Sequence, residues 1–155
     1  MIYDVIIIGS GPAGLAAGVY AQRARLSSII IEKEYMSGGQ ILNTYEVDNY
    51  PGLPGINGFD LGMKLREHCE GLGAEFVTAE VEKVSLAEDG QTKLVQTAEE
   101  TYQAKTVILA MGARHRLLEV PGEEEFTGMG VSYCATCDGA FFKDRVTAVV
   151  GGGDV

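Results

Sequence analysis

Basic residues are scarce in this sequence, and long apolar stretches are absent. Its 155 residues contain 12 lysines and arginines against 22 aspartates and glutamates, a net charge of −10. Because nucleic acids and anionic membranes are bound by clustered Lys and Arg, the composition argues against both partners. No apolar run approaches the roughly 20 residues of a membrane-spanning helix, and the N-terminus lacks the basic segment of a signal peptide. We expect a soluble, cytoplasmic protein.

Cysteine is scarce as well, with three residues, too few for a disulfide scaffold. Cys69 stands alone in a predicted helix and is expected to be a buried, inert thiol. Cys134 and Cys137 are spaced C-x-x-C, a pattern of zinc half-sites and of redox pairs. Because no other Cys or His lies at ligand spacing, the redox interpretation is favoured. Asp138 follows the pair and is either a proton donor and acceptor or a helix cap.

Glycine, by contrast, is abundant, and its first cluster follows a predicted strand. Residues 4–8 form an apolar run that is typical of a buried parallel strand, and a helix is predicted from Pro12 to about Arg25. Between them lies the G-x-G-x-x-G pattern of Gly9-Ser10-Gly11-Pro12-Ala13-Gly14. Its glycines allow a tight turn, close approach of a diphosphate and close helix–strand packing. The helix N-terminus offers free N–H groups and a positive dipole end to the phosphates.

A second strand, predicted at Ser28–Glu32, completes a β–α–β unit. Glu32 ends this strand, about 20 residues beyond the turn, where an acid accepts hydrogen bonds from a ribose diol. An unmodified ribose fits such an acid, whereas a 2′-phosphate would be repelled. Lys33, the next residue, is a surface charge at the edge of this predicted cofactor site.

The rest of the first domain alternates short elements. The turn-rich stretch from Met36 to Gly58 indicates a binding loop. An Asp-Gly turn at residues 89–90 between alternating runs predicts a hairpin. We therefore expect an α/β, Rossmann-like three-layer fold with an inserted antiparallel β-meander. The predicted elements are a helix at Gly58–Gly73 and strands at Glu75–Thr78, Glu80–Leu86, Lys93–Thr97 and Tyr102–Leu109.

A domain boundary is predicted between residues 1–113 and 114–155, where the composition changes. Arg114–Arg116 is a basic trio, interpreted as solvated surface or an anion contact. Val146–Val150 predicts another buried strand, and Gly151-Gly-Gly153 follows it as a second glycine turn. Because such a turn needs a following helix to hold a dinucleotide, we expect the chain to be a piece of a longer protein.

In these motifs the whole sequence resembles the low-molecular-weight thioredoxin reductases of bacteria, flavoproteins with two dinucleotide-binding domains. Two departures stand out: Met111 occupies a position where that family commonly has Thr, and Val155 one where Ser is usual. The motifs that carry the resemblance are Gly9–Gly14, Ser37-Gly-Gly-Gln40, Asp48-Asn-Tyr-Pro-Gly52, Ala110-Met-Gly-Ala113, Gly130–Gly139 and Gly151–Asp154.

The resemblance implies that FAD is the cofactor of the first domain. It also implies that residues 1–113 are the N-terminal segment of that domain, whose C-terminal segment follows the NADPH domain and is absent from this chain. Its ADP part would be held by Gly9–Gly14 and Glu32, with Val81 near the adenine. The final glycine turn would begin an NADPH domain whose site lies mostly outside this chain. The implied cofactor-binding residues are Gly9, Ser10, Gly11, Pro12, Ala13, Gly14, Glu32, Lys33, Gly39, Gln40, Asn49, Val81, Ala110, Gly112, Gly151 and Gly153.

The remaining implied roles concern the flavin side and the redox pair. Along the flavin the resemblance implies a row of three residues, Gly39, Gln40 and Asn49, and Gly112 would lie in the segment that leaves the FAD domain. Of the catalytic residues, Cys137 would face the flavin, Cys134 would attack the disulfide of thioredoxin, and Asp138 would be the acid–base group.

The resemblance therefore implies a homodimeric thioredoxin-disulfide reductase that passes electrons from NADPH through FAD and the Cys134–Cys137 pair to thioredoxin. Three alternatives stay open: the flavoprotein of an alkyl hydroperoxide reductase, a ferredoxin-dependent thioredoxin reductase, and a non-enzymatic FAD-binding module. Because most of the NADPH site lies elsewhere, the 155-residue chain by itself is expected to be inactive.

Overall fold

In a computed structural model of the chain, residues 1–152 are described, apart from the side chains of residues 136 and 137. The chain divides into two compact units, Met1–Gly112 and Ala113–Val155. No helix in the described part of the chain is long and apolar enough to cross a membrane.

The first unit is built on one six-stranded sheet with the strand order β3-β2-β1-β6-β5-β4. Four neighbouring strands of this sheet run parallel, namely β3, β2, β1 and β6. The strands β6, β5 and β4 form an antiparallel meander. Since β6 pairs with both β1 and β5, the meander continues the parallel sheet directly. The expected α/β fold with an antiparallel meander is confirmed. The strands are β1 (Ile2–Ile8), β2 (Ser28–Glu32), β3 (Glu75–Thr78), β4 (Val81–Leu86), β5 (Lys93–Thr97) and β6 (Thr101–Leu109).

Two helices accompany this sheet, α1 (Pro12–Arg23) and α2 (Gly58–Gly71). Helix α1 begins with a proline, whose fixed φ suits the first helical position. Helix α2 is capped by Asn57, whose side chain accepts a hydrogen bond of 2.8 Å from the amide of Asp60. Both helices end two residues before the predicted positions, a normal uncertainty for helix ends.

The core lies along β1 and β2, whose apolar runs are buried on both faces. Ile6 and Ile29 belong to one buried cluster, and Ile7 and Ile30 to another. This division follows from the alternation of side chains along a strand. Full burial of each of these side chains contributes about 1.5–3 kcal/mol, so the two strands that carry the candidate site form a firm support.

The second unit contains less regular structure, with a short helix α3 (Ala135–Asp138) and a 3₁₀ turn at Gly139–Phe142. The buried strand predicted at Val146–Val150 is not formed, and Val146 and Val149 are exposed. A strand needs a neighbour that pairs its backbone and covers its apolar face. Within the described residues 113–152, no such neighbour pairs with this run. Gly151 takes the positive φ (105°) expected of a glycine turn, and Gly153 lies outside the described residues.

Candidate functional site

The glycine turn between β1 and α1 is shaped by two close backbone contacts. Gly9 has a φ of +102°, and a Cβ at this position would overlap the carbonyl oxygen of Ala110. A Cβ at Gly14 would overlap the carbonyl oxygen of Gly9. Gly11 differs, because the nearest atom to a Cβ there is the Gly38 oxygen at 3.9 Å. The outer glycines thus allow tight packing, while the middle one leaves the surface of the turn open.

The N-terminus of α1 has the features of an anion site. Pro12 is the first helical residue, and Gly11 caps the helix without a side-chain hydrogen bond. The first turn contains no acidic residue. The amide of Leu15 donates to the Gly11 carbonyl at 3.0 Å, so the helical hydrogen bonds begin there. The first amides of a helix and its positive dipole end suit a negatively charged group.

Glu32, at the end of β2, is fastened to this turn by Ser10. Its Oε2 accepts hydrogen bonds from the Ser10 amide at 2.7 Å and from the Ser10 hydroxyl at 2.8 Å. Its Oε1 accepts from the Glu34 amide at 3.0 Å. Burial works to raise the pKa of Glu32, but the hydrogen bonds from Glu34, Ser10 and the Lys33 backbone lower it overall. Glu32 is therefore an oriented carboxylate beside the turn.

A second loop lies against the same turn. The Gly38 amide donates to the Ser10 carbonyl at 2.9 Å, and Gly38 takes a φ of +129°. A Cβ on Gly39 would stand 3.6 Å from the Gly11 Cα. Ser37 is buried, and its hydroxyl accepts a hydrogen bond of 3.0 Å from Arg66 Nη1 in α2. Two backbone turns and the N-terminus of α1 therefore converge on one surface.

Three residues of this arrangement were not among the predicted site residues: Ser37, Gly38 and Arg66. Gly38 was detectable, because it belongs to the Gly-Gly pair of a motif that the sequence displays. Arg66 carries no comparable signal, since its contact with Ser37 joins residues 29 positions apart in the chain. Only the packing of α2 against this loop brings them together.

The structure places the other predicted cofactor residues at different distances from the turn. Ala110 lies against Gly9 and Gly14. Beyond Glu32, the ammonium group of Lys33 lies 3.7 Å from a carboxylate oxygen of Glu80, next to Val81 at the start of β4. Gly39 is exposed and lies beside Gly11. Four further predicted residues are exposed, Ala13, Gln40, Asn49 and Gly112, the last with a φ of +70°.

The C-x-x-C segment belongs to the second unit. Cys134 is disulfide-bonded, and the side chain of Cys137 lies outside the part of the chain that is described. Asp138 accepts a hydrogen bond of 2.6 Å from the Ser132 hydroxyl. The 3₁₀ turn that follows has Asp138 at its N-cap without a side-chain capping bond, so the helix-cap interpretation of this carboxylate is wrong for that turn.

A buried carboxylate organises the chain before this segment. Glu123 accepts hydrogen bonds from the amides of Leu118 (2.9 Å) and Glu119 (2.6 Å) and from the Tyr133 hydroxyl (2.6 Å). These contacts, the Tyr133 hydroxyl first, lower the pKa of Glu123. The His115 ring stacks on Tyr133 with centroids 3.7 Å apart, so one member of the predicted basic trio has a structural contact.

Cys69 is free, fully buried and hydrogen-bonded through its Sγ to the Leu15 carbonyl at 3.0 Å. Burial raises the pKa of its thiol. The predicted burial of this cysteine is confirmed, and its inertness stays a prediction, which the raised pKa and the lack of access support. Among the described residues, no group of three or more His, Cys, Asp or Glu side chains is placed to hold a metal ion.

The fold and this turn have the arrangement of a dinucleotide-binding domain, and comparison with known proteins gives the family of the chain. The chain belongs to the pyridine nucleotide-disulphide oxidoreductase family, which matches residues 3–155. The resemblance to thioredoxin reductases is confirmed. The chain is 50% identical to the thioredoxin reductase of Bacillus subtilis, covering 99% of this chain and 48% of that protein. It is 50% identical to the thioredoxin reductase of Listeria monocytogenes, covering 99% and 47%.

Solved structures agree with this membership. The thioredoxin reductase of Lactococcus lactis has a TM-score of 0.76 and 47% identity, with 90% of this chain and 45% of that chain covered. A ferredoxin-flavin thioredoxin reductase of Clostridium acetobutylicum has a TM-score of 0.67 and 37% identity, with 91% and 48% covered. The chain spans about half the length of the curated relatives it matches.

Proposed function

We propose that this chain forms the FAD-binding part and the redox pair of an NADPH-dependent thioredoxin reductase. The observation that carries the proposal is the joint presence of two features in one chain. One is the glycine turn with Glu32 fastened beside it through Ser10. The other is a C-x-x-C segment whose Cys134 is disulfide-bonded. A dinucleotide site and a redox-active disulfide are the parts that an electron relay needs.

The residues around the turn fit the ADP part of FAD. A diphosphate can approach Gly11, where the surface is open, and meet the first amides of α1. Glu32 is held ionised and oriented, as a ribose-binding acid must be. The Gly38–Gly39 loop lies beside the same surface and extends toward Gln40, one of the proposed flavin contacts. In this proposal, Lys33 and Val81 line the adenosine end.

When bound, FAD supplies the chemistry that connects a two-electron hydride donor with a disulfide. The chain provides the thiols and the proton. Reduction of the proposed Cys134–Cys137 disulfide takes up two electrons and two protons. The Cys134 thiolate then attacks a sulfur of the thioredoxin disulfide, and the Cys137 thiol resolves the mixed disulfide. Asp138, which Ser132 connects with the Cys134 amide through two hydrogen bonds, donates a proton to a leaving thiolate when the disulfide is reduced and accepts the proton of the Cys134 thiol before its attack.

The electron donor has a second candidate, because the chain is 37% identical to a ferredoxin-flavin thioredoxin reductase over 91% of its length. Steady-state assays of the complete protein with NADPH, NADH and reduced ferredoxin separate the donors. We expect thioredoxin reduction with NADPH, by a cytoplasmic homodimer. Activity only with ferredoxin would replace the proposed donor, and activity with none of the three would refute the proposed reductase.

The FAD site is tested on the 155-residue chain itself. The purified chain is mixed with FAD, freed of unbound flavin and examined by visible absorption. We expect a flavin spectrum with the wild-type chain and a weaker one with Glu32→Gln. Because the reductase activity is proposed for the complete protein, no NADPH-dependent turnover is expected from this chain. A wild-type chain that retains no flavin would contradict its role as the FAD-binding part.

A further inference from the structure

The hydroxyl of Ser132 lies between the Asp138 carboxylate and the backbone of Cys134. It donates a hydrogen bond of 2.6 Å to Asp138 Oδ2 and accepts one of 3.1 Å from the Cys134 amide. The Asp138 amide in turn donates to the Cys134 carbonyl at 3.0 Å. These three bonds close a ring through Ser132, Cys134 and Asp138. The ring ties the proposed acid–base group to the backbone of the disulfide-bonded cysteine.

The direction of these bonds follows from the groups involved. A hydroxyl has one hydrogen, and the 2.6 Å contact with a carboxylate oxygen has the length of a charge-assisted bond. The hydrogen therefore goes to Asp138, and the oxygen lone pairs face the Cys134 amide. Ser132→Ala removes the hydroxyl and with it these two bonds, together with a longer contact of 3.3 Å to the Cys134 carbonyl, and frees the Asp138 side chain to rotate.

Space beside this ring allows proton exchange with solvent. Ser132 and Asp138 line a cavity of about 180 Å³ together with glycine backbone and two phenylalanine side chains. Asp138 is half-buried and Ser132 is exposed. A carboxylate whose position is fixed at the edge of such a cavity is accessible to water while remaining next to the cysteine segment.

We propose that Ser132 is a positioning residue for disulfide reduction: it holds the Asp138 carboxylate in place beside Cys134. This inference depends on the proposed function for the role of Asp138 as proton donor. It predicts that Ser132 acts through Asp138, so the effects of losing the two side chains overlap.

The test measures reduction of the chain's disulfide by dithiothreitol, which needs no flavin, NADPH or thioredoxin. Dithiothreitol loses two electrons and becomes its cyclic disulfide, and the cysteine pair gains two electrons and two protons. Rates are recorded between pH 6 and 9, at steps of about one pH unit. The chains compared are wild type, Ser132→Ala, Ser132→Thr, Asp138→Asn and the Ser132→Ala/Asp138→Asn double variant. Urea unfolding of each variant verifies that the chain remains folded.

We expect Ser132→Ala to lower the rate near pH 7 roughly three- to tenfold and to change the pH profile in the same way as Asp138→Asn. Ser132→Thr, which keeps the hydroxyl, restores the wild-type profile, and the double variant behaves as Asp138→Asn does. A wild-type rate in Ser132→Ala, or additive losses in the double variant, would overturn the positioning role. A wild-type rate in Asp138→Asn would instead refute the proton transfer assigned to Asp138 in the proposed function.

Discussion

Glu32 accepts two hydrogen bonds from Ser10, a residue 22 positions earlier in the chain, one from its amide at 2.7 Å and one from its hydroxyl at 2.8 Å. The pairing joins the end of β2 to the glycine turn after β1. Because both strands are buried on their two faces, the proposed ribose-binding acid is held at the end of a strand in the buried core of the first unit.

Glu32→Gln is expected to weaken FAD binding about 10- to 100-fold, because a hydrogen bond to a charged group is worth about 1.5–3 kcal/mol. The neutral amide also has one acceptor oxygen in place of two, so it cannot accept from Ser10 and from the Glu34 amide at the same time. The dissociation constant is measured by quenching of FAD fluorescence during titration with the chain.

Glu34→Gln is the matched control for this prediction, since Glu34 is an exposed carboxylate two residues away. Its substitution is expected to leave FAD affinity within twofold of wild type, a change of about 0.4 kcal/mol. Equal losses in the two variants would show that the overall charge of this edge, and not the Glu32 contact, determines binding.

Gly14→Ala is expected to destabilise the first unit by about 2 kcal/mol or more, because its Cβ would overlap the Gly9 carbonyl oxygen. Urea unfolding gives the change in free energy. Gly71→Ala at the end of α2 is the control, because a Cβ there meets nothing within 4 Å. It should be neutral or stabilising by up to about 1 kcal/mol. A Gly14→Ala chain as stable as the control would contradict the close packing of the turn.

Arg66 connects α2 with the second loop of the candidate site. Its guanidinium bonds Ser37 Oγ at 3.0 Å and Glu70 Oε1 at 2.6 Å, and lies 3.3 Å from the centre of the Phe76 ring. Arg66→Met is expected to lower stability by about 1–2 kcal/mol and to weaken FAD binding, because the loop loses its side-chain anchor.

The measurement for Arg66 is thermal unfolding with and without FAD. Lys64→Met in the same helix is the control, because Lys64 is exposed. This variant should unfold as wild type does, with and without FAD. If Arg66→Met unfolds at a lower temperature than wild type but FAD raises the unfolding temperature of both proteins equally, Arg66 has a structural role only.

The Glu123 contacts in the second unit are expected to depend on pH. Its folded pKa is lowered, so the stability it contributes is fully present above the unfolded value near 4.5 and is lost as the pH falls through the lowered folded pKa. The ring signals of Tyr133 in NMR spectra should therefore show an acid transition that lies below about pH 4.5.

Glu123→Gln should remove this acid transition of the Tyr133 signals, while the neighbouring exposed Glu124→Gln should preserve it. If the Tyr133 signals of Glu123→Gln shift with pH as those of wild type do, the Glu123 contact does not anchor this tyrosine.

The parts of the fold that could be predicted from sequence are those with strong local signals. The apolar runs of β1 and β2, and the glycine turn between them, give strands and a helix start within a few residues of the observed bounds. The run at Val146–Val150 has the same local signal but forms no strand, because no strand among the described residues pairs with it. A strand is stable only beside a neighbouring strand, and the local sequence does not indicate whether such a neighbour is present.

The candidate site divides in the same way. The glycine positions and Glu32 follow from spacing, because the chemistry of a diphosphate and a ribose restricts which residues can stand there. Contacts such as Glu123 with Tyr133 and Ser132 with Asp138 join side chains across irregular loops. No periodic pattern predicts these contacts, since many other polar residues of these loops are of the same type and equally exposed.

NADPH oxidation coupled to thioredoxin reduction, measured on the complete protein and on its Cys134→Ser variant, is the sharpest test of the proposed electron relay. We expect thioredoxin-dependent NADPH oxidation by the wild type, and its loss in Cys134→Ser with the flavin absorption spectrum retained. Undiminished thioredoxin reduction by Cys134→Ser would contradict it, as would a wild-type protein that binds no flavin.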